Sequence, residues 1–388
     1  MIKQYILGFY KSIPAIAMII IALNSCRTDE PVLQPTKTPV TNEIDSSSVL
    51  GFYLLNEGNM GSNKATLDYF DFSTGIYTKN IYAVTNPQVV SELGDVGNDI
   101  QIYGNKLYAV INASGFVEVM DAKTAKHIAN IEIPNCRYIT FNNGRAYVSS
   151  YAGPVEMDNE YAQKGYVAEI DTTNFEITRT VTVGYQPEEM AISNGELFVA
   201  NSGGYMAPYY DNTVSVIDLN TFTETEKIEI GINLHRVKAD KNGNIYISSR
   251  GDYMDVASCL YIVNTQTKSV VKKINIPVSN FCIMGDSAYV LSSEYSFVES
   301  TVISYSIIDT NTQTKVSSNF ITDGTEKNIK MPYGIAVHPA TRDIYISDAK
   351  TYIIPGTLYC YSKTGKRKWY VTTGDIPAHM TFLINHND

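Results

Sequence analysis

The residues of this chain that could do chemistry fall in seven connecting segments, not in one motif. These are NEGNMGSNKA, NASG, SYAGPVEMDNEYAQKG, NSGGYMAPYYDN, RGDYMDVAS, SEYSFVEST and DAKTYIIPG. They are mostly long, unalike and rich in tyrosine. They present Asn56, Glu57, Asn59, Met60, Asn112, Tyr151, Asn201, Tyr205, Tyr209, Tyr210, Arg250, Tyr253, Tyr295 and Tyr352. Tyrosine joins a broad apolar ring to a hydroxyl at low entropic cost. Met60, Met157, Met206 and Met254 add adaptable apolar surface. This is recognition chemistry. In the alternative reading, some of these loops fold back and bury their own tyrosines.

A second set stands at the start of seven short apolar runs: Asn98/Asp99, Arg137/Tyr138, Glu188/Glu189, His235/Arg236, Ser279/Asn280, Tyr333 and His379. A purely structural column should repeat. This one is polar and differs at each occurrence, which suits an asymmetric ligand contacted from several sides. Variable hydration around a water-filled channel is the alternative. Arg137, Glu188, His235, Arg236, Tyr333 and His379 therefore join the candidate ligand-binding set.

Catalytic signatures are missing. There is no G-x-S-x-G, no H-E-x-x-H and no P-loop. The five histidines are scattered, and no two sit at metal-ligand spacing, so neither an enzyme nor a metal centre is expected. The acidic run VEMDNE could hold Ca²⁺ but reads more simply as a solvated loop. The RGD at 250–252 is a three-letter match. Cys136, Cys259, Cys282 and Cys360 form no C-x-x-C pair and are expected as free thiols, with a Cys259–Cys282 bridge left open.

The elements that must position these residues repeat. GFYLLN, KLYAVIN, RAYVSS, ELFVAN, NIYISS, SAYVLS and DIYISD are one strand written seven times. Its aromatic column is Tyr53, Tyr108, Tyr147, Phe198, Tyr246, Tyr289 and Tyr345. Each copy is followed by a second alternating run ending in a turn residue: Asp71, Asp121, Asp171, Asp218, Asn264, Asp309 or Ser362. Such side chains bond the backbone two residues on and set a turn. One strand follows the turn, and another (DIQI, YITF, EMAI, RVKA, FCIM, GIAV, HMTF) precedes the aromatic one. No helix pattern is evident. Four short strands at a period of roughly 40 to 57 residues predict blades of an all-β, seven-bladed β-propeller.

The first blade lacks its inner strand near Val49, and DIPAHMTFLI at 375–384 supplies it. The ring is thus expected to close by pairing N- and C-terminal strands in one blade, which hides both edges. In such blades the elaborated loops share one face, and the short turns YGNK, NNGR and SNGE share the other. Long loops over a rigid scaffold are where binding sits.

The net charge of −10 argues against a nucleic-acid partner. Residues 1–25 read as an export signal: Lys3 and Lys11, then SIPAIAMIIIAL, too short to span a membrane, then Leu23-Asn24-Ser25-Cys26. That tetrad resembles the bacterial lipobox, which implies lipid on Cys26. The RTDE that follows resembles a surface-export signal of lipoproteins in some Gram-negative gut anaerobes. Residues 26–48 read as the lipidated cysteine and a disordered tether of roughly 22 residues, spanning about 25 Å on average. Residues 49–388 are expected to form the propeller.

With the blades placed, the chain resembles the YncE-like seven-bladed propeller lipoproteins. It is most similar to the BtuG-type surface cobalamin-binding lipoproteins. The likeness rests on LNSC, the tether, GFYLLNEGNMGSNKATLDYFD, GNDIQIYGNKLYAV and PAHMTFLI. It implies an outer-membrane, lipid-anchored protein facing the cell exterior. Such a protein captures cobalamin or a related corrinoid as cargo and passes it to a TonB-dependent, BtuB-type transporter. No cofactor is implied. The corrin disc would meet the aromatic and Met surface, and its single phosphate would meet Arg137, Arg236 or Arg250. The competing readings are a surface glycan-binding lipoprotein and a propeller lactonase or hydrolase. Sugar platforms favour Trp, and the one Trp, Trp369, lies in a late strand away from the elaborated loops.

Overall fold

The computed structural model describes residues 35–44, 47–89, 92–157, 160–294 and 302–385. Its described residues form seven antiparallel sheets, each a blade with strands a to d running outward from the axis. Blade 1 pairs Pro377–Ile384 (a) with Val49–Asn56 (b), Thr66–Asp71 (c) and Ile76–Thr78 (d). Blade 2 is Gly97–Tyr103, Lys106–Ile111, Phe116–Asp121 and His127–Glu132; blade 3 is Cys136–Asn142, Arg145–Ser150, Tyr166–Asp171 and Ile177–Thr182. Blade 4 is Pro187–Ser193, Glu196–Asn201, Thr213–Asp218 and Thr223–Glu229; blade 5 is Leu234–Ala239, Asn244–Ser249, Cys259–Asn264 and Ser269–Ile274. Blade 6 is Asn280–Met284, Ser287–Glu294, Val302–Asp309 and Thr314–Ser317; blade 7 is Pro332–Val337, Ile344–Asp348, Pro355–Tyr361 and Arg367–Asp375.

Burial explains the strand sequences. The b strands are covered on both faces by neighbouring blades, so they read as nearly continuous apolar runs; Leu197, Phe198, Val199 and Ala200 have no exposed surface. The d strands face water and carry polar residues, as in the exposed Ile177–Thr182. The aromatic column also links blades: the Tyr53 hydroxyl donates to the Ala122 carbonyl of blade 2 at 3.0 Å.

The c–d turns form as expected. The Asp218 carboxylate accepts from the amides of Asn220 and Thr221 at 2.9 and 2.8 Å, and Asp121 and Asp309 do the same in their blades. Four residues after the turn residue the backbone turns left-handed, at Ala125, Phe175, Phe222, Lys268 and Gln313. Blade 1 places a glycine there, Gly75, and blade 7 uses Gly365, three residues after Ser362.

The ring closes as the split unit requires. Phe52 faces Phe382 and Leu55 faces His379 across the junction of the two ends of the chain. The a strands contact one another in circular order around the axis. Between blades 7 and 1 the junction is sealed by Phe52, Phe70, Tyr345 and Trp369.

Two features depart from expectation. A five-residue helix, Ile81–Thr85, lies in the link to blade 2 and buries Tyr82. Part of the expected tether is also ordered: Lys37–Pro39 pairs with Ile76–Thr78 as a fifth, outermost strand of blade 1. That outer strand would otherwise expose unpaired amides, and an added strand satisfies them. Beyond it the segment continues to Glu43, whose carboxylate meets Lys368 of blade 7 at 2.7 Å. Cys26 lies outside the described residues.

Candidate ligand-binding face

Strand order puts the b–c loops and the d-to-a links at one end of the propeller. The residue that ends strand b, or follows it, ties these two sets together. Asn112 Nδ2 donates to the Cys136 carbonyl at 2.9 Å, the Ser150 hydroxyl to the Pro134 carbonyl at 2.6 Å, and the Ser249 hydroxyl to the Ile232 carbonyl at 2.7 Å. Asn201 accepts from the Gly184 amide and donates to Thr213 and Ser215. Asn56 donates to the Thr66 hydroxyl at 3.1 Å. Asn56, Asn112 and Asn201, read from the sequence as ligand-facing, are thus buried and bonded within the scaffold. They sit at a repeating position, which is why their bonds are structural.

The starts of the a strands converge on the axis, and most of their polar groups find one another. Glu188 is the hub. Its Oε2 accepts from Arg137 Nε and Nη2 at 3.1 and 3.0 Å; its Oε1 accepts from the Tyr151 hydroxyl at 2.8 Å and lies 3.4 Å from Arg250 Nη1. Burial works to raise the Glu188 carboxyl, but Arg137 and Arg250 hold it below its ordinary value. Tyr151 is buried, with the Arg137 guanidinium over its ring. This is the loop tyrosine that folds inward.

Tyr138 centres a second knot. Its hydroxyl lies 2.9 Å from His235 Nε2 and accepts from Arg236 Nη1 at 3.0 Å. Burial, with Arg250, Arg236 and Arg137 nearby, pushes the His235 imidazole well below its ordinary value. Two carboxylates staple neighbouring blades: Asp99 accepts from the Ile139 amide at 3.1 Å, and Glu189 from the Val237 amide at 2.8 Å and from Lys238 at 2.6 Å. Glu57, from the first b–c loop, accepts from the Tyr333 hydroxyl at 3.0 Å. Burial pushes its carboxyl up to about 7 against the lowering effects of Tyr333, Arg236 and Arg137. Burial likewise raises Asp99 to about 6. His379 lies 3.6 Å from Asp99.

Outside this ring the loops expose apolar surface. Tyr205, Tyr209 and Tyr253 are 48%, 65% and 62% exposed, and Met254 is 82% exposed. The loops of blades 4 and 5 that carry them adjoin, since Gly204 packs beside Asn233 and Arg250. Tyr210, half-buried, feels Tyr253. Blade 3 adds exposed Met157 and Tyr161, blade 1 adds Met60 with half-buried Asn59, and blade 7 adds Ile353 with Tyr352, whose ring meets Tyr333 edge-on at 5.7 Å. Met206 departs from expectation: its loop turns back at Gly203 and buries the side chain. Tyr295 lies outside the described residues. The four later cysteines are free thiols, and among the described residues no group of three His, Cys, Asp or Glu could hold a metal ion.

The sequence reading placed Tyr138 and Asp99 at the mouth but not among the ligand-binding set, and it missed Lys238. Lys238 follows Arg236 by two on one strand, so their spacing was the available signal.

The family model described as Domain of unknown function (DUF5074) matches residues 50–370. No curated protein matches the chain. Similar solved structures share the fold at low identity. Hydrazine synthase from Kuenenia stuttgartiensis has a TM-score of 0.60 at 15% identity, covering 75% of this chain and 96% of that one. A quinonprotein alcohol dehydrogenase-like protein from Bacteroides thetaiotaomicron has a TM-score of 0.56 at 16% identity, covering 87% and 79%. The WD40 domain of Neurospora crassa Pan2 has a TM-score of 0.52 at 10% identity, covering 70% and 78%.

Proposed function

This chain belongs to the DUF5074 family, and we propose that it is a binding protein whose loop face captures a large, flat, amphipathic ligand, namely cobalamin or a related corrinoid. The observation that carries the reading is the exposed aromatic and Met surface on one rim, above a ring of polar groups fixed by mutual bonds. A corrin is a broad disc with apolar faces and an amide fringe. Tyr205, Tyr209, Tyr253 and Met254 offer apolar cover, and the tyrosine hydroxyls and loop backbone offer partners for amides.

Covering roughly 100 Å² of each tyrosine contributes about 2.5 kcal/mol. Three rings then give about 7.5 kcal/mol, which offsets only part of an association cost on the order of 4–15 kcal/mol, so polar contacts to the amide fringe must supply the rest. The rim is held by a closed ring of blades, so little further ordering is needed. Trp369 is packed inside the blade 7–blade 1 junction, which leaves a sugar-stacking platform without its preferred side chain.

The further steps of the proposal rest on the sequence resemblance. The chain would be anchored through lipid on Cys26, face the exterior of the outer membrane, and hand its cargo to a TonB-dependent transporter. It would act without a cofactor and without turning its ligand over. The test is retention: the purified protein is incubated with cyanocobalamin and desalted. Pink colour travelling with the protein supports the reading. Its absence at micromolar concentrations contradicts it.

A further inference from the structure

Three arginines stand near the axial mouth, and their surroundings differ. Arg137 and Arg250 share Glu188. Arg236 has no such partner among the described residues. Its Nη1 donates to the Tyr138 hydroxyl, its charge lies 5.2 Å from the centre of the Tyr138 ring, and its buried Nε has no hydrogen-bond partner. The residue is 5% exposed. Burial works against its charge, but Tyr138, Glu189, Tyr333 and Glu57 act through space to keep it protonated. A buried charge without a close counter-ion costs several kcal/mol. A fold that keeps one has a use for it.

Arg236 lines a cavity of about 350 Å³ between the inner strands, with Lys238, Asp99, Glu189, Asn280 and His379. The other charges there are locally compensated. Lys238 meets Glu189 at 2.6 Å, and Asp99 accepts from the Ile100 and Ile139 amides at 2.8 and 3.1 Å. Arg236 is therefore the cation left over. His379 Nε2, on strand a of blade 1, also lacks a partner. The volume is at the low end of small-molecule sites, which run from about 300 to 1,000 Å³. It excludes a corrinoid.

We propose that the axial cavity is a second ligand site, separate from the rim, that takes a small carboxylate through the Arg236 guanidinium, with His379 meeting a polar group of the same molecule. A planar guanidinium suits a carboxylate because the two can form parallel, charge-assisted hydrogen bonds. The other arginines cannot serve without giving up Glu188.

Thermal unfolding of the purified protein tests this with sodium acetate as probe, acetamide as its neutral isostere, and sodium chloride at matched ionic strength. Acetate should raise the melting temperature saturably, and neither control should. Arg236→Met should weaken acetate binding at least tenfold. Its melting temperature in acetate-free buffer is the baseline against which its own acetate response is scored. Arg236→Lys keeps the charge but loses the fork, should lose part of the acetate response, and serves if the Met variant does not fold. Absence of a saturable acetate effect on the wild type overturns the proposal, as does a full response in Arg236→Met. Cyanocobalamin retention is scored separately, so failure here leaves the rim reading standing, and the reverse.

Discussion

Arg137 of blade 3 and Glu188 of blade 4 meet across the blade boundary through two hydrogen bonds of 3.0 and 3.1 Å. Their side chains are 14% and 1% exposed. The pair links neighbouring inner strands at the axial mouth, and Tyr151 and Arg250 complete the shell of the carboxylate. Glu188→Gln would leave two arginines without their counter-ion. Unfolding in urea should show a loss of about 3–5 kcal/mol. A loss under about 1 kcal/mol would mean that the pair is not a keystone of the ring.

Glu57 gives a pH signature. Its folded-state pKa, about 7, lies above the ordinary carboxyl value. Folding favours its protonated form, so its contribution to stability is full below the ordinary carboxyl pKa and is lost as pH rises through about 7. Glu57→Gln removes this dependence while keeping a partner for Tyr333. The variant should match the wild type near pH 4 and be more stable at pH 8, by about 3 kcal/mol. Melting curves across that range check it; parallel curves at all pH values would contradict it.

The c–d turns store strain at one position. Gln313 adopts φ of 55° four residues after Asp309, where blade 1 uses Gly75. Glycine tolerates that conformation without a Cβ penalty. Gln313→Gly should stabilise the protein by about 0.5–1 kcal/mol, read by chemical denaturation. Phe222→Gly at the equivalent turn should instead destabilise, because the ring is buried and packed in the core between blades 3 and 4.

The rim tyrosines should separate binding from stability. Tyr205, Tyr209 and Tyr253 are largely exposed, so replacing each with alanine should change stability by less than about 0.5 kcal/mol. Each should weaken corrinoid binding by about 1–3 kcal/mol, or roughly 5- to 150-fold. Calorimetric titration of each variant reads this directly.

The ring was legible in the sequence because its determinants are local and repeated. The aromatic column at Tyr53 to Tyr345 and the turn column at Asp71 to Ser362 recur with the period of the blade, and the missing strand near Val49 matched PAHMTFLI. What was not legible depends on pairing between distant residues. Glu188 draws partners from 51, 37 and 62 positions away, and no spacing rule foretells which polar groups at the mouth will satisfy each other. That is why the sequence offers Arg137, Arg250 and Tyr151 as ligand contacts although Glu188 engages all three. Lys37–Pro39 is three residues long with no alternation to mark it, and only the open edge of blade 1 explains its pairing. Met206 was misplaced for a similar reason, since a loop that doubles back on itself carries no periodic signal.

The central claim is that one ornamented rim binds a corrinoid. The most direct measurement is a titration of cyanocobalamin into the wild type and into a Tyr205→Ala/Tyr209→Ala/Tyr253→Ala triple variant of unchanged melting temperature. Saturable binding of one corrinoid per chain, abolished in the triple variant, is the predicted result. No binding by the wild type, or equal binding by a folded triple variant, would contradict the account.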